Sequence, residues 1–215
     1  GDFLPPVPLP RRMWAAGQLT VAQDLILGER TVKTSTVRSV DLKMGRSGPL
    51  VFVTVEHRLE QGGVACLIEL QDLVYREAPA AQAAQAVADP APARADWRRQ
   101  LVPDSRLLFR YSALTYNGHR IHYDSGYSRQ VESYPDLVVH GPLQVTLLLD
   151  LLQAEQPLAR IERIKFRAHR PSFVDRPLEL AGCLEGTAVE LWTADADGPL
   201  GMRMDVALRR EMDPS

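Results

Sequence analysis

Apolar and polar positions alternate along much of the chain. Thr31 to Val40 alternates Thr, Val and Ser with charges, the pattern of a half-buried strand. Leu50 to His57 is a strand rich in β-branched residues, preceded by turn chemistry over Gly45 to Pro49. Gln61-Gly62-Gly63 turns the chain into a further strand over Val64 to Tyr75. These short turns favour antiparallel pairing. Leu107 to Thr115 reads as another strand, whereas Tyr116 to Asp124 fits no alternation. Leu143 to Gln156 carries Leu143, Val145, Leu147, Leu148, Leu149, Leu151 and Leu152 and is apolar on most sides, as a helix buried in a domain is. Pro142 suits its first turn, where a missing N–H costs nothing. Strands follow over Arg160 to Arg170, Leu178 to Leu184, Ala188 to Ala194 and Gly201 to Arg209. One long helix wrapped by a curved antiparallel sheet is an α+β arrangement.

Two stretches break this pattern. Leu4-Pro5-Pro6-Val7-Pro8-Leu9-Pro10 cannot be regular structure, because proline fixes φ and removes donors, so it is expected to lie extended over something else. Pro79 to Asp96 is rich in Ala, Gln and Pro and reads as a linker. The expected organisation is a first half over 1–78, a linker over 79–100 and a second half over 101–215.

Composition narrows the class. The 215 residues are 24 % charged with a formal net charge of -2, so nucleic acid is not an expected partner. No apolar run approaches the ~20 residues that span a bilayer, and no membrane association is expected. Cys66 and Cys183 lie in different halves, which admits neither a disulfide framework nor a cysteine zinc site and points to a reducing, cytoplasmic setting. The first residue is not Met, so the natural start is expected upstream of Gly1.

Three of the five histidines, His119, His122 and His140, fall close together, with Asn117 and Asp124 among them. His119, His122 and Asp124 give an H-x-x-H-x-D spacing, but zinc hydrolases place two His at i and i+4 around a Glu, so no metal is expected. Acid/base chemistry is the second reading. A histidine near neutrality moves protons, Asn117 can orient a water, and Asp124 either orients His122 or braces the loop. His140-Gly141-Pro142 at a helix start offers backbone N–H groups to a developing enolate. A polar loop that merely satisfies backbone groups is the third. No G-x-S-x-G elbow or glycine-rich phosphate loop is present.

The strings FRYSALTYNGHRIHYD and YPDLVVHGPLQVTLLLDLL, with FLPPVPLPRRMWAAG and RSGPLVFVTVEH, resemble the MaoC-like hot-dog hydratases and dehydratases. Within them the chain is most similar to the branch of mesaconyl-C4-CoA and itaconyl-CoA hydratases and type 2 hydroxyacyl-thioester dehydratases. The resemblance implies a double hot dog whose first half lacks its central helix at the N-terminus. It implies a hydro-lyase, with an acyl-CoA thioester as substrate, no cofactor beyond that coenzyme A and a homodimer or higher homo-oligomer. His122 matches the family's catalytic histidine and Asp124 its later aspartate. Asn117 stands where the family has a catalytic aspartate. An amide cannot act as a base, which leaves His122 as base and Asn117 as a water-positioning group. His119 replaces a family asparagine, and Gly141 matches the glycine whose N–H binds the thioester oxygen, with His140 beside it. The expected reaction hydrates a C5 dicarboxylyl-CoA such as itaconyl- or mesaconyl-CoA to citramalyl-CoA, with Arg120 meeting the second carboxylate and Arg12, Arg46 and Arg170 as alternatives. Dehydration of 3-hydroxyacyl thioesters in fatty-acid or polyketide metabolism, and thioester binding without catalysis, are the alternatives.

Overall fold

The computed structural model describes residues 3–45, 48–77, 89–195 and 198–209. They form two compact units, one from Gly1–Ala84 with Ile161–Arg167 and one from Gln85–Arg160 with Ala168–Ser215. Residues 79–88 of the expected linker, and Arg46, lie outside the described residues.

The first unit is an antiparallel sheet in the order β2-β3-β4-β1-β6. Its strands are β1 (Arg11–Val21), β2 (Thr31–Gly45), β3 (Gly48–Gln61), β4 (Val64–Arg76) and β6 (Ile161–Ala168). Gly62 and Gly63 both have positive φ, which suits the two-residue turn joining β3 and β4. Val53, Val55, Leu73 and Tyr75 form the buried cluster, and Leu4, Val7 and Leu9 of the proline-rich segment pack against it. That segment is extended over the sheet as the prolines require. Among the described residues this unit contains no helix. Trp14 stacks on Phe166 with ring centroids 4.7 Å apart. A Cβ on Gly17 would lie 2.4 Å from the Phe166 ring, so a side chain there would displace the stack. β6 thus belongs with the first unit through β1, although it lies in the expected second half.

The second unit pairs β9-β8-β7-β5, from β5 (Trp97–Leu101), β7 (Leu178–Glu185), β8 (Ala188–Asp195) and β9 (Leu200–Leu208). Residues 97–100, expected in the linker, are in β5 and pair with β7. Helix α3 (Gly141–Glu155) packs on β7, β8 and β9, burying Leu143, Gln144, Leu148, Leu151 and Leu152. The Thr193 hydroxyl of β8 donates to Gln144 Oε1 at 2.6 Å, satisfying a polar group that burial would otherwise penalise.

The expected strand at Leu107–Thr115 is instead helix α1 (Ser105–Thr115). Asp104 caps it, its carboxylate accepting from Leu107 N–H at 2.8 Å and from Arg106 Nε at 2.8 Å. Leu108 and Ser112, four residues apart, are its buried positions. Asp104→Ala is expected to lower the urea midpoint of unfolding, because the Leu107 N–H loses its acceptor. A urea midpoint equal to the parent's would show that the cap contributes nothing.

Candidate active site

Helix α1 ends at Tyr116, in the left-handed region at φ 52°, and the Asn117 N–H donates to the Ser112 carbonyl at 2.9 Å. The chain then leaves the helix with Asn117 Oδ1 accepting from the His119 N–H at 3.1 Å. A single 3₁₀ turn over Arg120–His122 follows and leads into helix α2 (Ser125–Gln130). Asp124 caps α2 through the Tyr127 N–H at 2.9 Å. Its other oxygen accepts from Arg120 Nη2 at 2.7 Å and Nε at 3.1 Å, and the guanidinium lies 4.4 Å over the Tyr127 ring. The Tyr127 N–H and the Arg120 guanidinium hold the Asp124 carboxyl below the usual carboxylate range. Both Asp124 oxygens are thus engaged in bracing the loop. Arg120, expected to meet a substrate carboxylate, spends two of its nitrogens on this brace.

His122 is buried, with 7 % of its surface exposed. Its Nδ1 lies 2.7 Å from the Val138 carbonyl, while the Val138 N–H donates to the Ile121 carbonyl at 3.0 Å. A carbonyl only accepts, so Nδ1 carries the proton and Nε2 presents its lone pair. Burial, with a smaller contribution from neighbouring His119, lowers the His122 pKa to about 4, against the opposing pull of the Val138 carbonyl. The ring is neutral at pH 7, as a general base must be.

His140 immediately precedes α3, which begins with Gly141 and Pro142. The first N–H groups of a helix have no partner within it, so the Gly141 N–H stands at the positive end of α3. The His140 side chain, expected as part of the substrate contact, is instead fully buried. It stacks on His122 with centroids 3.7 Å apart and planes 17° apart, and its Nε2 lies 2.8 Å from Ser112 Oγ. Tyr111 meets it edge-on at 4.9 Å, and His119 meets His122 edge-on at 5.6 Å. The structure thus gathers His119, His122 and His140, while Asn117 and Asp124 shape the loop between them. Of the alternative arginines, Arg12 belongs to the first unit whereas this loop belongs to the second, and Arg170 follows β6. Among the described residues no group of three or more His, Cys, Asp or Glu could hold a metal ion. No helix there is long and apolar enough to cross a membrane.

Sequence reasoning passed over Ser112 and the Val138 carbonyl. The signal for Ser112 is present in the chain: an Asp104 cap followed by Leu108, Tyr111 and Ser112 at helical spacing.

A profile of the family described as hydroxyacyl-thioester dehydratase type 2 matches residues 1–174. The chain is 41 % identical over 209 residues to a mesaconyl-C(4)-CoA hydratase of Chloroflexus aurantiacus, covering 97 % of this chain and 74 % of that one. It is 37 % identical over 102 residues to the mitochondrial hydroxyacyl-thioester dehydratase type 2 of Schizosaccharomyces pombe, covering 45 % of this chain and 33 % of the relative. In fold it is similar to the crystal structure of a MaoC-like dehydratase from Phytophthora capsici, at a TM-score of 0.74 and 15 % identity over 98 % of this chain and 77 % of that one. An α+β hot-dog fold, a buried neutral histidine and a profile that covers most of the chain converge: the chain belongs to the hydroxyacyl-thioester dehydratase type 2 family of hydro-lyases.

Proposed function

We propose that the protein adds water reversibly across the α,β double bond of a C5 dicarboxylyl-CoA thioester, with mesaconyl-C4-CoA as the leading substrate and citramalyl-CoA as product; itaconyl-CoA reaches the same product by this step only after its double bond has moved into conjugation with the thioester. The observation that carries this is His122, buried, neutral and fixed by Val138 with Nε2 as its lone-pair nitrogen. The identity to the Chloroflexus hydratase favours the C5 acyl group.

In the hydration direction, water attacks the β-carbon and passes a proton to His122 Nε2. The π electrons move to the thioester oxygen, which becomes an enolate oxygen held by the Gly141 N–H. The imidazolium then returns its proton to the α-carbon, so the net change is addition of one water. An oxyanion donor of this kind contributes ~3 kcal/mol. A base of low pKa is a weak proton acceptor in the empty site, and the enolate charge growing beside it offsets that weakness. Asn117 has given its carbonyl oxygen to the loop, so its NH₂ is the group left to hold the water. Arg120 offers Nη1, the nitrogen not engaged by Asp124, to the second carboxylate.

Arg106 and Arg110, with Phe109 and Tyr123, line a surface cavity of about 390 Å³ in the same unit. Guanidinium groups and ring faces suit the phosphates and adenine of coenzyme A. On this reading each unit is one hot-dog half, and the second carries the chemistry.

The test is a panel of CoA thioesters with product mass spectrometry. Mesaconyl-C4-CoA is expected to be hydrated at least tenfold faster than crotonyl-CoA and longer monocarboxylic chains. Rates that grow with acyl length would replace this reading by fatty-acyl or polyketide dehydration. Binding without turnover of any thioester would leave a non-catalytic module.

A further inference from the structure

We infer that His140 is a positioning residue for the reaction: held by Ser112 and stacked against His122, it fixes the plane of the His122 ring and so the direction in which Nε2 points. The inference rests on the reading of His122 as the base. Three observations combine to support it.

The first is geometric. One hydrogen bond, from Nδ1 to the Val138 carbonyl, leaves an imidazole free to swing about that bond. A second flat surface 3.7 Å away and nearly parallel removes this freedom. His140 is itself held from two sides, by the Ser112 hydroxyl at 2.8 Å and by the edge of Tyr111. Ser112 and Tyr111 are neighbours on α1, so the stack is referenced to a helix rather than to a loop.

The second is energetic. His140 is 0 % exposed, and its Nδ1 has no hydrogen-bond partner among the described residues. A buried ring nitrogen left unpaired costs on the order of 1–3 kcal/mol, which an apolar side chain of similar shape would avoid. Packing alone does not account for a histidine here.

The third concerns what His140 cannot do. Whichever nitrogen holds its first proton, the His140 imidazolium would carry a proton on Nδ1, buried and without an acceptor among the described residues, beside the ring that is collecting a proton from water. His140 therefore stays neutral through turnover and does not relay the proton. It acts on the reaction through His122 alone, which separates a positioning role from a second base.

The test uses Ser112→Ala, His140→Ala and His140→Phe in the whole protein, with mesaconyl-CoA as substrate. Ser112→Ala is expected to lower kcat about tenfold and His140→Ala ~10²-fold, the scale of a misplaced catalytic group, with KM within threefold of the parent. His140→Phe restores a flat face and is expected to recover at least tenfold of the alanine loss. The His122 ring protons, followed by NMR across pH, are expected to titrate nearer the ordinary histidine range in the two alanine variants and to stay low in the Phe variant. Parent-like kcat together with parent-like His122 titration in Ser112→Ala and His140→Ala would overturn the inference. If His140→Ala does not fold, Ser112→Ala decides alone, since it removes a single hydroxyl. Full activity in a His122→Gln control would refute the base, while the NMR titration would still report whether His140 and Ser112 hold the His122 ring.

Discussion

His122→Gln is expected to lower the hydration rate by ~10²–10⁴-fold while the protein stays folded. The glutamine amide can donate to the Val138 carbonyl in place of Nδ1–H, so the link to Val138 survives. What it lacks is a nitrogen lone pair able to take a proton from water. A thousandfold loss corresponds to about 4 kcal/mol of barrier, which is the share asked of the base here. On the proposed mechanism the remaining acceleration belongs to the Gly141 N–H at the start of α3 and to the orientation of the thioester, neither of which the substitution touches. Single-turnover rates with mesaconyl-CoA and a melting curve on the same sample check both halves of the expectation. A folded variant that turns over at the parental rate would remove His122 from the mechanism.

The second large effect concerns acid. Burial lowers the pKa of His122 to about 4 and that of His140, which also faces His122 and His119, to about 3. In the unfolded chain both sit near 6.5, so between pH 6.5 and these values the unfolded state binds more protons than the folded one. Stability is therefore full above pH 6.5 and falls as pH drops through this window. For His122 alone the loss by pH 4 is on the order of 3 kcal/mol, and His140 adds a comparable amount. Urea midpoints measured from pH 7.5 to pH 4.5 should fall steeply, and His122→Gln should fall less. Identical slopes for parent and variant would mean that His122 is protonated in the folded protein. The same burial places the acid limb of kcat/KM near pH 4, well below that of an exposed histidine.

Strand alternation and the leucine pattern of α3 are local, so β2, β3, β4 and α3 were legible in the chain. Helix α1 was not, because Leu107-Leu108-Phe109 followed by Tyr111 satisfies a strand pattern as well as a helical one. The deciding feature was the Asp104 cap, a single side-chain contact outside the apolar pattern. His122, Asn117 and Gly141 could be picked out through the motif. The pairing of Arg120 with Asp124 is four residues apart and follows from loop geometry. The stack of His140 on His122 and its anchor on Ser112 depend on three segments meeting in space, and no periodicity in one segment announces that. Arg120 could be picked out as a cation in the right stretch, but its two-nitrogen pairing with Asp124, which leaves Nη1 over, shows only in the folded loop.

The Trp14–Phe166 stack has a consequence for how the protein is made. A ribosome delivers β1 through β4 long before β6, so the first sheet emerges with one flank of β1 still unpaired. Gly17 leaves that flank without a side chain at the place where Phe166 later settles. Until residue 166 arrives, this bare stretch of backbone can recruit strands from other nascent chains, and pairing so distant in sequence is slow to close. Yield on expression, more than the stability of the finished fold, is where a weakened Phe166 would first be felt.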